Sequence, residues 1–205
     1  MKRGFTVVEM AVVIVVIAIL ASIIIIGYDT AQDDSRDTAR RAAAQQIVQA
    51  VETLRTRTDS VLQFGGYQTS GPAPVGAMCA HNSVSNAFAS NNANWVFYSG
   101  GTSSDYSCTL GSMLMGTKVL PLNFDTKLPE NEDYTESPAR KKDAAMVIYR
   151  CDTTNRRWVL YYYLKSPTTE EADAMTSLRN SCTQGPSLTA LRDTLKMRAA
   201  TEIKI

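Results

Sequence analysis

MKRGFTVVEMAVVIVVIAILASIIIIGY, residues 1–28, is the stretch on which the reading of the whole chain turns. From Met10 to Ile26 it holds no charge and a single hydroxyl, Ser22. As a helix, residues 5–28 rise about 36 Å at about 1.5 Å per residue, enough to cross a bilayer. Lys2 and Arg3 precede the run, whereas Asp29, Asp33 and Asp34 follow it. That asymmetry predicts a cytoplasmic N-terminus, with everything after about Tyr28 on the far side. An ordinary secretory signal fits poorly, because the run is long, lacks an Ala-x-Ala site and carries Glu9 in its first turn. A plain anchor explains the length but not Glu9, since an ionisable group inside an apolar span is costly and usually has a partner.

Working outward, the 205 residues carry a formal net charge of +1, with 44% hydrophobic and 20% charged residues. This composition excludes disorder as the main state and sets one domain, or two small ones, as the expectation. There is no polybasic tract, so specific nucleic-acid binding is not expected. With His81 as its one histidine the chain cannot build a multi-histidine metal centre.

At the head of the apolar helix, Gly4, Phe5, Thr6 and Glu9 resemble the class III signal of type IV pilins and pseudopilins. The resemblance implies that a membrane peptidase cuts between Gly4 and Phe5 and that the new N-terminal Phe5 is methylated. It also implies that Glu9 pairs with a neighbouring N-terminus during assembly. Electrostatics agrees, because an ammonium on Phe5 and the carboxylate of Glu9 are opposite charges in a low-dielectric setting where each alone is unfavourable.

Beyond Asp29 the sequence stays helical in character to about Phe64, with no proline and no glycine after Gly27, the local weak point. Ala43, Ile47, Val51, Leu54 and Val61 follow a three-and-four spacing that predicts an amphipathic face. Asp33 with Arg36, and Asp37 with Arg40 and Arg41, read as local ion pairs on a solvated face or as pairs between packed subunits. Gly65-Gly66 is a natural stop. Residues 65–143 are loop-rich, with a short strand at Trp95–Ser99, a helical turn near Asn82–Ser90 and an exposed charged loop over Asp125–Asp143. Ala144–Cys151 and Arg156–Lys165 predict an antiparallel hairpin, whose aromatic residues Tyr149, Trp158, Tyr161, Tyr162 and Tyr163 are expected to pack against the long helix. Thr168–Asn180 predicts a helix, Leu188–Met197 a weaker one, and the terminal EIKI a short edge strand.

Cys79, Cys108, Cys151 and Cys182 all follow the apolar run, hence face an oxidising space, where an even count favours two disulfides. Three connectivities are possible, and the sequential one, Cys79 with Cys108 and Cys151 with Cys182, would close two loops of similar size and staple the middle and C-terminal parts separately. Zinc is disfavoured, since no pair has Cys-x-x-Cys spacing. No nucleophile elbow, phosphate loop or nucleotide fingerprint is present, so neither an enzyme nor a cofactor is expected.

The fold class expected is therefore α+β: a long N-terminal helix, half membrane-spanning and half amphipathic, packed on a small antiparallel sheet. The resemblance divides it into a leader at 1–4, a transmembrane and assembly half at 5–28, an amphipathic half at 29–64 and an extracytoplasmic head at 65–205. It implies a structural subunit of a type IV pilus or related filament that polymerises through the apolar helix. Expected partners are other copies of the chain, a prepilin peptidase, the assembly machinery and the membrane before assembly. The precursor would lie in the cytoplasmic membrane and the filament at the cell surface, serving adhesion, motility, DNA uptake or secretion. Two alternatives remain: a pseudopilin or minor pilin, and a bitopic extracytoplasmic binding protein.

Overall fold

The computed structural model describes residues 6–58, 94–97, 110–116, 118–152 and 157–204. Helix α1, Val7–Thr58, is continuous and passes Gly27 without a break. The residues after Thr58, including the expected end of the helix near Phe64 and Gly65-Gly66, lie outside the described ones. The chain divides into two compact units, Met1–Arg36 and Asp37–Ile205.

In the first unit α1 has no core face. Large apolar side chains are exposed around it, from Val7 at 86% through Ile14 at 63% to Leu20 at 55%. A helix that is apolar all round is stable only when something else covers it, whether lipid or other helices. The one hydroxyl between Met10 and Ile26 is satisfied within the helix, as Ser22 donates to the Ile19 carbonyl at 2.7 Å, which suits an environment without water.

In the second unit α1 is strongly sided. Asp37, Arg40, Ala44, Ile47, Val51 and Leu54 are all buried, and their spacing of three and four draws one stripe. That stripe packs on a four-stranded antiparallel sheet ordered β1-β2-β3-β4: Asn94–Trp95, Met146–Arg150, Arg157–Tyr162 and Ala199–Lys204. β2 pairs with β3 from Met146 opposite Tyr162 to Arg150 opposite Trp158, and β3 pairs with β4 from Arg157 opposite Lys204 to Tyr162 opposite Ala199.

The period of two then separates two cores. Met146, Ile148, Trp158, Leu160 and Ile203 join the α1 stripe, together with Leu110 and Leu114 of α2 (Leu110–Gly116). Val147, Tyr149, Val159 and Tyr161 face the other way, onto Met175 of α3 (Thr169–Asn180) and Leu191 of a π-helical turn at Ala190–Thr194. Each fully buried Leu, Ile or Val contributes about 1.5–3 kcal/mol relative to an exposed one. The entry to α3 is fixed by a capping box: the Thr168 hydroxyl accepts from the Glu171 N–H at 3.2 Å, and the Glu171 carboxylate accepts from the Thr168 N–H at 2.8 Å.

Several expectations are corrected. The aromatic residues do not form one layer against α1, since Tyr149 and Tyr161 meet edge to face at 5.9 Å on the opposite side of the sheet. Nor is Asp125–Asp143 an exposed loop: Leu128, Asn131, Tyr134 and Asp143 are buried. Asn131 is the reason, because its side-chain amide donates to the Ala144 and Leu195 carbonyls at 2.8 and 2.9 Å and so ties the segment down by polar contacts that leave no periodicity. The strand expected at Trp95–Ser99 is reduced to Asn94–Trp95, followed by a buried bend at Val96 and Phe97, with residues 98 and 99 outside the described ones. The bend is fixed where the Gly111 N–H donates to the Val96 carbonyl at 2.7 Å. A Cβ at Gly111 would lie 2.2 Å from the Phe97 ring.

Candidate functional site

The N-terminal segment is the candidate site, and its first described residue caps α1. The Thr6 hydroxyl accepts from the Glu9 N–H at 3.3 Å, while the Glu9 carboxylate accepts from the Thr6 N–H at 2.7 Å and from the Thr6 hydroxyl at 2.8 Å. This is a reciprocal capping box, Thr-x-x-Glu, in which two otherwise orphaned backbone donors are satisfied. Glu9 is thus folded back along the helix onto Thr6. The sequence carries the signal for this box, a threonine three residues before a glutamate at the start of an apolar run. Gly4 and Phe5 lie outside the described residues, as do Cys79, His81 and Cys108.

Among the described residues no helix is long and apolar enough to cross a membrane. The described side chains of the apolar half end at Ser22, and those of residues 23–27 are outside them.

The second unit holds its part of α1 through charge as well as apolar packing. Arg40, fully buried, donates to Asp37 at 2.7 Å and to both Glu132 carboxylate oxygens at 2.9 and 2.7 Å, and also to the Glu130 carbonyl. Its guanidinium lies 4.7 Å from the centre of the Tyr163 ring. Asp37 in turn accepts from the Lys165 and Ser166 N–H groups at 2.9 and 2.8 Å. Burial of this pair is tolerable because nearly every polar atom is partnered.

One turn on, Arg41 forks onto Glu171 at 2.6 and 3.0 Å. That guanidinium holds the Glu171 carboxyl below its ordinary pKa. Glu171 is the same residue that closes the capping box of α3, so one carboxylate links α1 to α3. The local pairing expected of Asp37 with Arg40 is present but buried, and Arg41 pairs with Glu171. The signal missed was register: 37 and 40 continue the stripe 44, 47, 51 and 54 towards the N-terminus, which puts both charges on the core face.

Cys151 and Cys182 form a disulfide with Cα atoms 4.6 Å apart. It anchors the turn after α3, where the Gln184 N–H donates to the Cys151 carbonyl at 3.1 Å. Arg179 gathers that turn by donating to the Cys182 and Gly185 carbonyls at 3.0 and 3.2 Å and to that of Pro186. Gly185 is in the left-handed region at φ 108°, a conformation that favours glycine. Among the described residues no group of His, Cys, Asp and Glu is placed to hold a metal ion.

Residues 1–25 match the family described as the prokaryotic N-terminal methylation motif. The chain therefore carries, over that stretch, the class III signal of type IV pilins and pseudopilins. The motif implies processing by a prepilin peptidase and points to a structural subunit of a pilus-type assembly. No curated protein and no solved structure matches the chain.

Proposed function

We propose that this chain is the structural subunit of a type IV pilus or related filament, made as a membrane precursor and polymerised through the apolar half of α1. The observation that carries the proposal is the uncovered circumference of α1 from Val7 to Leu20, beginning inside a methylation motif at residues 1–25. Before assembly lipid covers that surface, and in the filament the helices of other copies do. On this reading residues 1–4 are the leader, 5–28 the assembly half of the helix, 29–64 its amphipathic half and 65–205 the exposed head. The peptidase cuts between Gly4 and Phe5, and the methylated Phe5 amine then lies next to Thr6. Cys79 with Cys108 forms the second disulfide in this scheme.

In the subunit the Glu9 carboxylate already accepts two hydrogen bonds from Thr6, and the Glu9 N–H donates a third to the Thr6 hydroxyl, so the carboxylate is partnered while the subunit waits in the membrane. Assembly then sets the carboxylate against the Phe5 amine of a neighbouring copy, a charge pair formed where water is excluded. Glu9→Gln keeps the cap while removing the charge, and Glu9→Ala removes both. Both variants should be processed and inserted yet yield few filaments by electron microscopy. Filaments of normal number and length in Glu9→Gln would refute the charge-pair role.

A further inference from the structure

We infer that a groove on the second unit binds the Tyr28–Asp33 turn of a second copy of this chain, an inference that rests on the filament reading. The groove, about 330 Å³, is floored by Ala39, Ala42 and Ala43 of α1 and by Phe124 and Leu128, with Lys127 on its rim. Beside it Leu122 is 76% exposed, the one exposed large apolar side chain outside α1 among the described residues. Lys127 is exposed, and its side chain has no ion pair or hydrogen bond among the described residues.

The complementary set sits elsewhere on the same chain. Tyr28 is 66% exposed. Asp29 and Asp33, one turn apart on one helix face, also lack any partner among the described residues. Tyr28 offers an aromatic ring to Leu122 and the alanine floor, while Asp29 and Asp33 offer carboxylates to Lys127.

Two different patches that complete each other form a heterologous contact, and a heterologous contact whose rotation does not close generates an open helical filament. The groove is therefore matched to another copy rather than to an unrelated partner. For parallel helices, seating residues 28–33 beside residues 39–46 displaces the second copy by about twelve residues, about 18 Å along the axis.

A charge swap tests this in the full chain. Lys127→Glu and Asp33→Lys, each on an exposed or half-buried side chain, should fold with unchanged urea midpoints, yet each should lower the yield of sheared filaments roughly fivefold or more. The double variant Asp33→Lys with Lys127→Glu should recover to within about twofold of wild type. Unchanged filament yield in the single variants, or a loss that the double variant does not restore, overturns the groove. Absence of filaments from the wild-type chain would instead overturn the filament reading itself.

Discussion

Replacing Arg40 with methionine keeps most of its volume and helix propensity but removes the charge that joins Asp37 to Glu132. Removing one partner of a buried pair typically costs about 3–5 kcal/mol, because the other charge is left uncompensated. Here Asp37 keeps the Lys165 and Ser166 N–H groups, and Glu132 is 32% exposed and regains water. The low end of the range, about 3 kcal/mol, is therefore expected. For a unit of this size each kcal/mol moves the midpoint by about 2–4 °C, which gives a fall of about 6–12 °C. Urea unfolding of the full chain in detergent, followed by far-UV circular dichroism, measures the loss. Asp37→Ala and the double variant complete a cycle in which the double should lose clearly less than the sum of the singles. A loss below about 1 kcal/mol for Arg40→Met at unchanged m would refute the claim that this arginine holds α1 to the sheet.

The Cys151–Cys182 bond closes a separation of 31 residues, and the chain-entropy relation puts its removal by Cys151→Ser with Cys182→Ser at about 3–4 kcal/mol, read as a fall in the urea midpoint. Glu171 has its carboxyl lowered from 4.5 by the Arg41 guanidinium, so its contribution is complete above about pH 4.5 and is lost as pH falls through the lower folded value. Arg41→Gln should flatten that acid limb of stability against pH; an unchanged slope between about pH 4.5 and 3 counts against the coupling. At the alkaline end burial pushes the Tyr161 hydroxyl up to about 12. Stability is therefore full below about pH 10 and falls as pH rises towards 12, a fall that Tyr161→Phe should reduce.

What the sequence revealed follows periodicity. Residues 144–151 and 156–165 are near-continuous runs of apolar, β-branched and aromatic residues on either side of a polar DTTN turn, and the hairpin β2–β3 lies within them. Residues 168–180 read as a helix, and α3 occupies Thr169–Asn180 within them. Polar burial was the part not legible. Asp37 and Arg40 sit at core positions of the stripe, but their charge argued for solvent, and only their partners at 130–132 and 165–166, about a hundred residues away, make burial tolerable. Asn131 is similar, since a single buried amide holds a segment whose composition reads as loop. The division of the tyrosines between two cores required knowing that α3 and the π-helical turn cover the second face of the sheet. In the N-terminal segment the charge of Glu9 dominates its reading in an apolar run, whereas its capping of Thr6 lies only in the Thr-x-x-Glu spacing.

The central claim, that a peptidase converts this membrane precursor into an assembly-competent subunit, is tested most directly at the new N-terminus. Intact-mass and N-terminal fragment spectra of the chain isolated from its native cells should show residues 1–4 gone and an N-methylated Phe5. A chain that keeps Met1, or that begins with an unmethylated residue beyond Phe5, would contradict the account.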